Sequence, residues 1–388
     1  MARKLSPSIL ELGANLRAAR ERARLTQEEV SAHLHIPRSA VSESEQGKRE
    51  VSAAELYALA RLYGEPMEAL LGVREPRQAG ERFMFRAEAV SAPEQHQLTR
   101  FLAWCAEYRQ LEEQTGDLAS LTPRPALRPP TTFEQAHRLA DEERKRLELG
   151  VTPGRVLLDV LEEGLGVKLK AARLGRDALS GASVQSPRFG PAILLNADQT
   201  GGRQVFTLAH EYFHLLTGPP AEGNEPGVHV CDVLSGPAGR KSRDEQLADQ
   251  FAGRLLLPPE PFIDRLQQLR RSDGSIDRRD LIDVARYFGV SVQAVFVALA
   301  RLKLVSWELA NAAYADDELQ QAIVRSGGEQ VPEPKRFRRL AVKAYRLGAI
   351  TRGRLAELLE VGLPEVAGEL DRYGGEGGAP PVKLAPSR

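Results

Sequence analysis

The stretch Val205-Phe-Thr-Leu-Ala-His210-Glu211-Tyr212-Phe213-His214-Leu-Leu216 decides how the rest of the chain is read. Its apolar residues fall on nearly every side of a 3.6-residue period, which predicts a helix buried all round rather than one with a wet face. Polar groups in such a helix need partners of their own. Residues four apart stack one turn above each other, so His210 and His214 present two imidazole nitrogens to one point in space. A divalent metal ion suits that spacing. Glu211 then stands beside the ion, where a carboxylate can take a proton from water and hand it to a leaving amine. The competing reading is a pair of histidines hydrogen-bonded inside a core.

A catalytic zinc needs a third protein ligand and an open fourth position. Ser242-Arg-Asp-Glu245-Gln-Leu-Ala-Asp249, continuing to Pro258-Pro259, predicts a second helix stopped by two prolines that cannot extend it. Glu245 and Asp249 lie one turn apart on one face. The spacing allows a plain solvated pair of carboxylates. It also allows the assignment made here, with Glu245 as third ligand and Asp249 as the acceptor holding His210 in its metal-binding tautomer. Zinc is the metal expected, and manganese suits the same donors.

Arg203-Gln-Val-Phe-Thr-Leu-Ala-His-Glu-x-x-His, followed by Glu245-x-x-Ala248-Asp249-x-Phe251-Ala252 and Leu256-x-Pro258, resembles the ImmA/IrrE family of bacterial metallopeptidases over about residues 130–310. The resemblance implies a zinc-dependent, thermolysin-like endopeptidase. Its ligands fall on His210, His214 and Glu245 and its general base on Glu211. The implied substrate is a protein, a transcriptional repressor, cut in a regulated stress, DNA-damage or mobile-element response. Phe213 departs from the pattern, because the family often has a small residue before the second histidine. That changes the packing beneath the helix and removes no ligand.

Towards the N-terminus, Thr26-Gln-Glu-Glu29 and Ser52-Ala-Ala-Glu55 are capping boxes, each opening a helix. Helices are expected over residues 10–22, 27–34, 39–46, 52–63 and 67–71. The stretch from Leu25 to Arg49 resembles the XRE/Cro-like helix-turn-helix family, over about residues 10–72, which implies that the second helix of the pair enters the major groove. Gln27, Arg38, Ser39, Ser42 and Glu43 are the candidates for base edges, and Lys48 and Arg49 for phosphates. Basic and acidic residues balance over this segment, so non-specific affinity is expected to be modest and salt-dependent. A single such module binds tightly as a pair, and a homodimer on DNA is expected.

Length and composition bound the rest. The 388 residues allow two or three domains, and 42% hydrophobic content supplies a core for each. With 53 basic against 53 acidic residues, no global charge advertises a polyanionic partner. Two cysteines far apart in sequence fit a reducing compartment, and no run reaches membrane-spanning length, so a cytoplasmic protein without a membrane partner is expected.

The fold class expected is mostly α with a small β-sheet, an α+β protein. Residues 1–75 form the DNA-binding domain, and 76–120 a helical connector whose stripe Phe101, Cys105, Tyr108 and Leu111 reads as core or dimer interface. Residues 121–131 are a Pro-rich linker, 132–258 the metallopeptidase core, 259–373 a helical region and 374–388 a flexible tail. Inside the core, helices are expected at 132–149 and 153–163 and short strands at 167–170, 182–184 and 192–196. An exposed sheet edge would suit pairing with an extended substrate backbone. The span 217–240 reads as a loop whose His229, Cys231 and Asp232 are exposed rather than ligating, with His229 and Tyr212 the candidates for an oxyanion donor. Asp283 to Leu299 has the pattern of a second helix-turn-helix-like pair, turning at Gly289 to Ser291, and the ImmA/IrrE resemblance implies that it packs on the metal domain. Residues 334–359 add two helices.

Overall fold

The computed structural model describes residues 9–23, 25–63, 67–72, 92–118, 127–175, 179–218, 227–231, 242–272, 274–325 and 333–374. The chain divides into two compact units, Met1–Trp104 and Cys105–Arg388. Most of the Pro-rich linker and residues 375–388 of the tail lie outside the described residues.

The first unit holds α1 (Ile9–Arg22), α2 (Gln27–Leu34), α3 (Arg38–Glu45), α4 (Ala53–Tyr63), α5 (Met67–Leu70) and the start of α6 (Ala92–Thr115). Both capping boxes form: the Thr26 hydroxyl accepts from Glu29 N while the Glu29 carboxylate accepts from Thr26 N, and Ser52 and Glu55 repeat the exchange. Leu16, Ala19, Val30, Val41, Leu56, Leu59 and Tyr63 close a small apolar core under α1 to α4. Beside it, Glu45 is buried and takes a bidentate pair from Arg20 at 2.5 and 3.0 Å, which fixes α3 against α1.

The second unit begins in the middle of α6. Cys105, Tyr108 and Leu111 of the aromatic stripe are buried here, with the Tyr108 ring 5.3 Å from that of Phe337. Next come α7 (Phe133–Arg146), capped by Thr132 and Gln135, and α8 (Pro153–Asp159), which runs into a π-helical turn at Val160–Gly164. The strands are β1 (Lys168–Ala172), β2 (Gly181–Ser186), β3 (Gly190–Asn196) and β4 (Gly227–Cys231), in the order β1-β3-β2-β4. β1 runs parallel to β3, and β2 is antiparallel to both β3 and β4.

β4 corrects the reading of 217–240 as one loop. Its residues pair with β2 residues more than forty positions earlier, Ser183 with His229 and Gly181 with Cys231, and such long-range pairing leaves no local signature. The helix α9 (Gly201–Thr217) lies across β2 and β3, and α10 (Arg243–Leu256) packs on both α7 and α9.

Within the described residues seven more helices follow in order, α11 (Pro259–Leu269), α12 (Arg278–Phe288), α13 (Val292–Arg301), α14 (Trp307–Tyr314), α15 (Asp317–Arg325), α16 (Arg336–Arg346) and α17 (Arg352–Leu359), then a last one, α18 (Val366–Tyr373). The pair α12–α13 turns through 97° at Gly289, a helix-turn-helix angle. Its inward residues Val284, Phe288, Val295 and Leu299 belong to the same apolar core as Leu208, Phe213, Phe251 and Leu255 of α9 and α10. That pair is built into the core of the second unit, as the family resemblance implied.

A buried charge cluster ties α6, β1 and α16 together. Arg336, 1% exposed, donates to Glu112 at 2.6 Å and to the Asp117 carbonyl at 2.7 Å, and Lys168 donates to the other Glu112 oxygen at 2.9 Å. In the π-helical turn, the buried Glu162 accepts from Lys335 N at 2.8 Å, so its carboxylate sits at the positive end of α16. Burial pushes Glu162 up to about 7, against the pull of the backbone amides of Lys335 and Arg336. Among the described residues, no single helix is long and apolar enough to cross a membrane.

Candidate metal centre

The α9 helix is buried along almost its whole length, with Val205, Leu208, Ala209, Phe213 and Leu216 in the core. His210 and Glu211 are fully buried and His214 nearly so. One turn apart, the two imidazoles bring their Nε2 atoms to 3.2 Å from each other. Across from them stands the first turn of α10. Ser242 caps that helix by accepting from Glu245 N at 3.2 Å, and in an ordinary capping box the Glu245 side chain would reach back to the Ser242 amide. Here it reaches the histidines instead, with Oε2 at 3.1 Å from His210 Nε2 and Oε1 at 3.5 Å from His214 Nε2.

These three residues form a cluster able to hold a metal ion. Around a tetrahedral zinc with bonds of about 2.0–2.2 Å, neighbouring ligand atoms stand roughly 3.3–3.5 Å apart. The separations at His210, His214 and Glu245 come within a few tenths of an ångström of that, so the donor set fits zinc in both chemistry and spacing.

Asp249, one turn further along α10, places Oδ1 at 3.1 Å from His210 Nδ1. That contact turns Nε2 towards the other two donors. Burial alone would pull His210 down, but its hydrogen bonds to Asp249 and Glu245, helped by the charge on Glu211, outweigh it and raise the imidazole to about 9. Three carboxylates around two imidazoles call for a cation, and a proton on His210 is the smallest that serves.

Glu211 points towards the sheet. A Cβ on Gly181, the first residue of β2, would lie 2.6 Å from Thr207 Cγ2 and 3.1 Å from Glu211 Oε1, so only glycine leaves the carboxylate its place. The sequence reading missed Gly181. The available signal was a glycine opening a strand, which often marks a close approach of backbone to another group.

Other expectations are corrected. Tyr212 projects to the far side of α9, where its hydroxyl donates to the buried Glu143 at 2.5 Å and accepts from Arg146 at 2.9 Å. It is a core tyrosine and offers nothing to an oxyanion. His229 and Cys231 lie on β4 at the sheet edge, and Asp232 lies outside the described residues.

On the DNA-binding side, Arg38, Ser39 and Glu43 are exposed on α3, and Ser42 is partly buried, its hydroxyl accepting from Gln46 at 3.0 Å. Lys48 is exposed just beyond the helix. Two candidates are engaged within the fold. Gln27 donates to Glu45 at 2.9 Å, and Arg49 donates to Ser44 at 3.1 Å and pairs with Glu55, so each holds helices together. Sequence alone could not separate these from the exposed ones, because all are polar.

Residues 11–71 match a helix-turn-helix domain model, and residues 162–300 match that of the IrrE N-terminal-like domain, Peptidase_M78. The chain therefore carries a helix-turn-helix domain in its first unit and an IrrE N-terminal-like domain in its second. Among characterised proteins, it is 27% identical over 318 residues to the propionyl-CoA carboxylase regulator of Cereibacter sphaeroides, a match covering 76% of this chain and 65% of that protein's length. Among solved structures it is similar to a Mycobacterium tuberculosis transcriptional regulator, at 16% identity over 51% of each chain, with a TM-score of 0.28 that is too low to equate the folds.

Proposed function

We propose that this protein is a DNA-binding regulator whose second unit holds one zinc ion and hydrolyses a peptide bond. The observation that carries the reading is the convergence of His210, His214 and Glu245 at zinc-like separations, with the buried Glu211 carboxylate next to them. Bound there, zinc would supply Lewis acidity to a substrate carbonyl. His210 and His214 hold the ion through Nε2, and Asp249 keeps the His210 ring turned by accepting from Nδ1. Glu211 takes the proton from the attacking water and delivers it to the departing amine, with Gly181 and Thr207 fixing where its oxygens stand. The strand β4 ends the sheet order beside β2, and its outer edge is where an extended substrate backbone would pair. The resemblance to ImmA/IrrE enzymes favours a transcriptional repressor as substrate. Arg38, Ser39, Ser42 and Glu43 are the residues proposed to read base edges, with Lys48 on phosphate.

A second reading, transcriptional control through the metal domain without proteolysis, is favoured by the regulator named above. One substitution separates the two. Glu211→Gln should keep the metal and lose roughly 10²–10⁴-fold in cleavage rate. The test compares protein fragments in cells carrying wild-type and Glu211→Gln protein, together with occupancy of its DNA sites. Fragments that vanish in the variant support hydrolysis. Unchanged fragments, or none with either protein, overturn it in favour of the second reading.

A further inference from the structure

Between α9, α10, α13 and α14 lies a cavity of about 500 Å³ that touches the metal centre at Asp249 and Thr207 but is lined by none of its three candidate ligands. Its volume is that of a small-molecule site. Its apolar lining includes Phe206, Leu256, Val297, Ala298 and Trp307. Arg203, Arg254 and Arg301 also line it.

These arginines differ in how far the fold satisfies them. Arg254 is engaged by Asp141 through a bidentate pair at 2.7 and 3.0 Å. Arg301, by contrast, makes one hydrogen bond among the described residues, from Nη1 to the Asp249 carbonyl at 3.3 Å. A guanidinium has five N–H donors, so most of those on Arg301 are left for the cavity. Burial pulls Arg301 below its usual value and only the charge on Asp249 opposes this, so its positive charge is poorly compensated. Arg203 lines the same cavity, and its side chain makes no hydrogen bond or ion pair among the described residues.

The fold also makes room for Arg301. Gly253 sits in the interior of α10, where glycine costs a helix about 1 kcal/mol relative to alanine. A Cβ at that position would collide with Arg301 Nη1. Glycine there admits the guanidinium to the cavity.

We infer that this cavity is a binding site for a small organic anion, its carboxylate or phosphate held by Arg301 and Arg203 and its apolar body lying against Phe206, Val297 and Trp307. Neither arginine proposed to hold the anion is a candidate ligand of the ion. The cavity shares Asp249 with the metal centre, which gives an occupant a route to the His210 contact.

The test is calorimetric titration of the full chain, as wild type and as Glu211→Gln, with 4-phenylbutyrate, 4-phenylbutyl phosphate and neutral 4-phenylbutyramide. One anion is expected to bind with one-to-one stoichiometry at least tenfold more tightly than the amide, equally in both proteins. Whichever anion prevails identifies the head group. Three variants, each checked for folding by circular dichroism, locate the site. Arg301→Gln removes the charge, Gly253→Ala displaces it, and Ala298→Trp fills the apolar side while leaving every charge in place. Each should weaken the anion at least tenfold. If Arg301→Gln fails to fold, Ala298→Trp decides. No binding by either anion, equal binding of anion and amide, or undiminished binding to Ala298→Trp overturns the inference. A result of that kind leaves the hydrolytic reading untouched, because Glu211→Gln is scored separately.

Discussion

Replacing Glu162 by glutamine should stabilise the second unit at alkaline pH and do little in acid. The carboxyl titrates at about 7 in the folded chain, against about 4.5 when unfolded. Its folded value is raised, so the contribution to stability is fully present below 4.5 and is lost progressively as pH rises through 7. The shift of roughly 2.5 units corresponds to about 3 kcal/mol, the cost of keeping a buried carboxylate ionised above pH 8. Glutamine carries no charge at any pH and keeps an oxygen for the Lys335 amide. The gain from Glu162→Gln should therefore grow from near zero at pH 4.5 to about 3 kcal/mol at pH 8.5. For the second unit, Cys105–Arg388, whose unfolding entropy is about 0.6 kcal/mol/K, that is a rise of roughly 5 °C in melting temperature. Thermal melts of wild type and variant in parallel, at half-unit pH steps, would measure it. Two parallel curves would refute the reasoning, as would a variant that loses stability with rising pH as steeply as wild type.

Further expectations concern the metal centre and the groups around it. Asp249→Ala should weaken zinc binding about 10–100-fold in a chelator competition, since His210 Nδ1 loses its acceptor. Because the apo protein holds a proton on His210 up to about 9, zinc displaces that proton at neutral pH, and its apparent affinity should rise roughly tenfold per unit between pH 7 and 9. Tyr212→Phe leaves the buried Glu143 short of a donor and should cost about 1–3 kcal/mol by denaturant melt, with zinc affinity unchanged. Gly181→Ala should retain zinc and lose activity, because Thr207 and Glu211 must shift to admit the methyl group. On DNA, Ser39→Ala should alter sequence preference, and Lys48→Ala should weaken all sequences alike and reduce the salt dependence of binding.

Periodicity and short-range chemistry made much of this molecule readable from sequence. A four-residue spacing on a buried helix gives His210 and His214 one side of α9, and the one-turn offset of Glu245 and Asp249 gives them one side of α10. Capping boxes at Thr26 and Ser52 marked helix starts because hydroxyl and acid lie within one turn of each other. What escaped depends on partners distant in sequence. β4 exists only through its pairing with β2, Tyr212 is decided by Glu143 on another helix, and Arg336 is buried by Glu112, 224 positions away. Likewise Gln27 and Arg49 share the composition of groove-facing residues and differ from Ser39 only in having Glu45 and Glu55 within reach. Gly181 and Gly253 matter for what they leave out, and that shows only once the neighbouring side chain is in place.

X-ray absorption of the zinc-loaded chain addresses the metal centre most directly. The account predicts one zinc per chain with two imidazole nitrogens at about 2.0–2.1 Å and a carboxylate oxygen at about 2.0–2.2 Å, and the carboxylate contribution lost in Glu245→Ala. Zinc bound as firmly and with the same spectrum in His214→Ala or Glu245→Ala would contradict it.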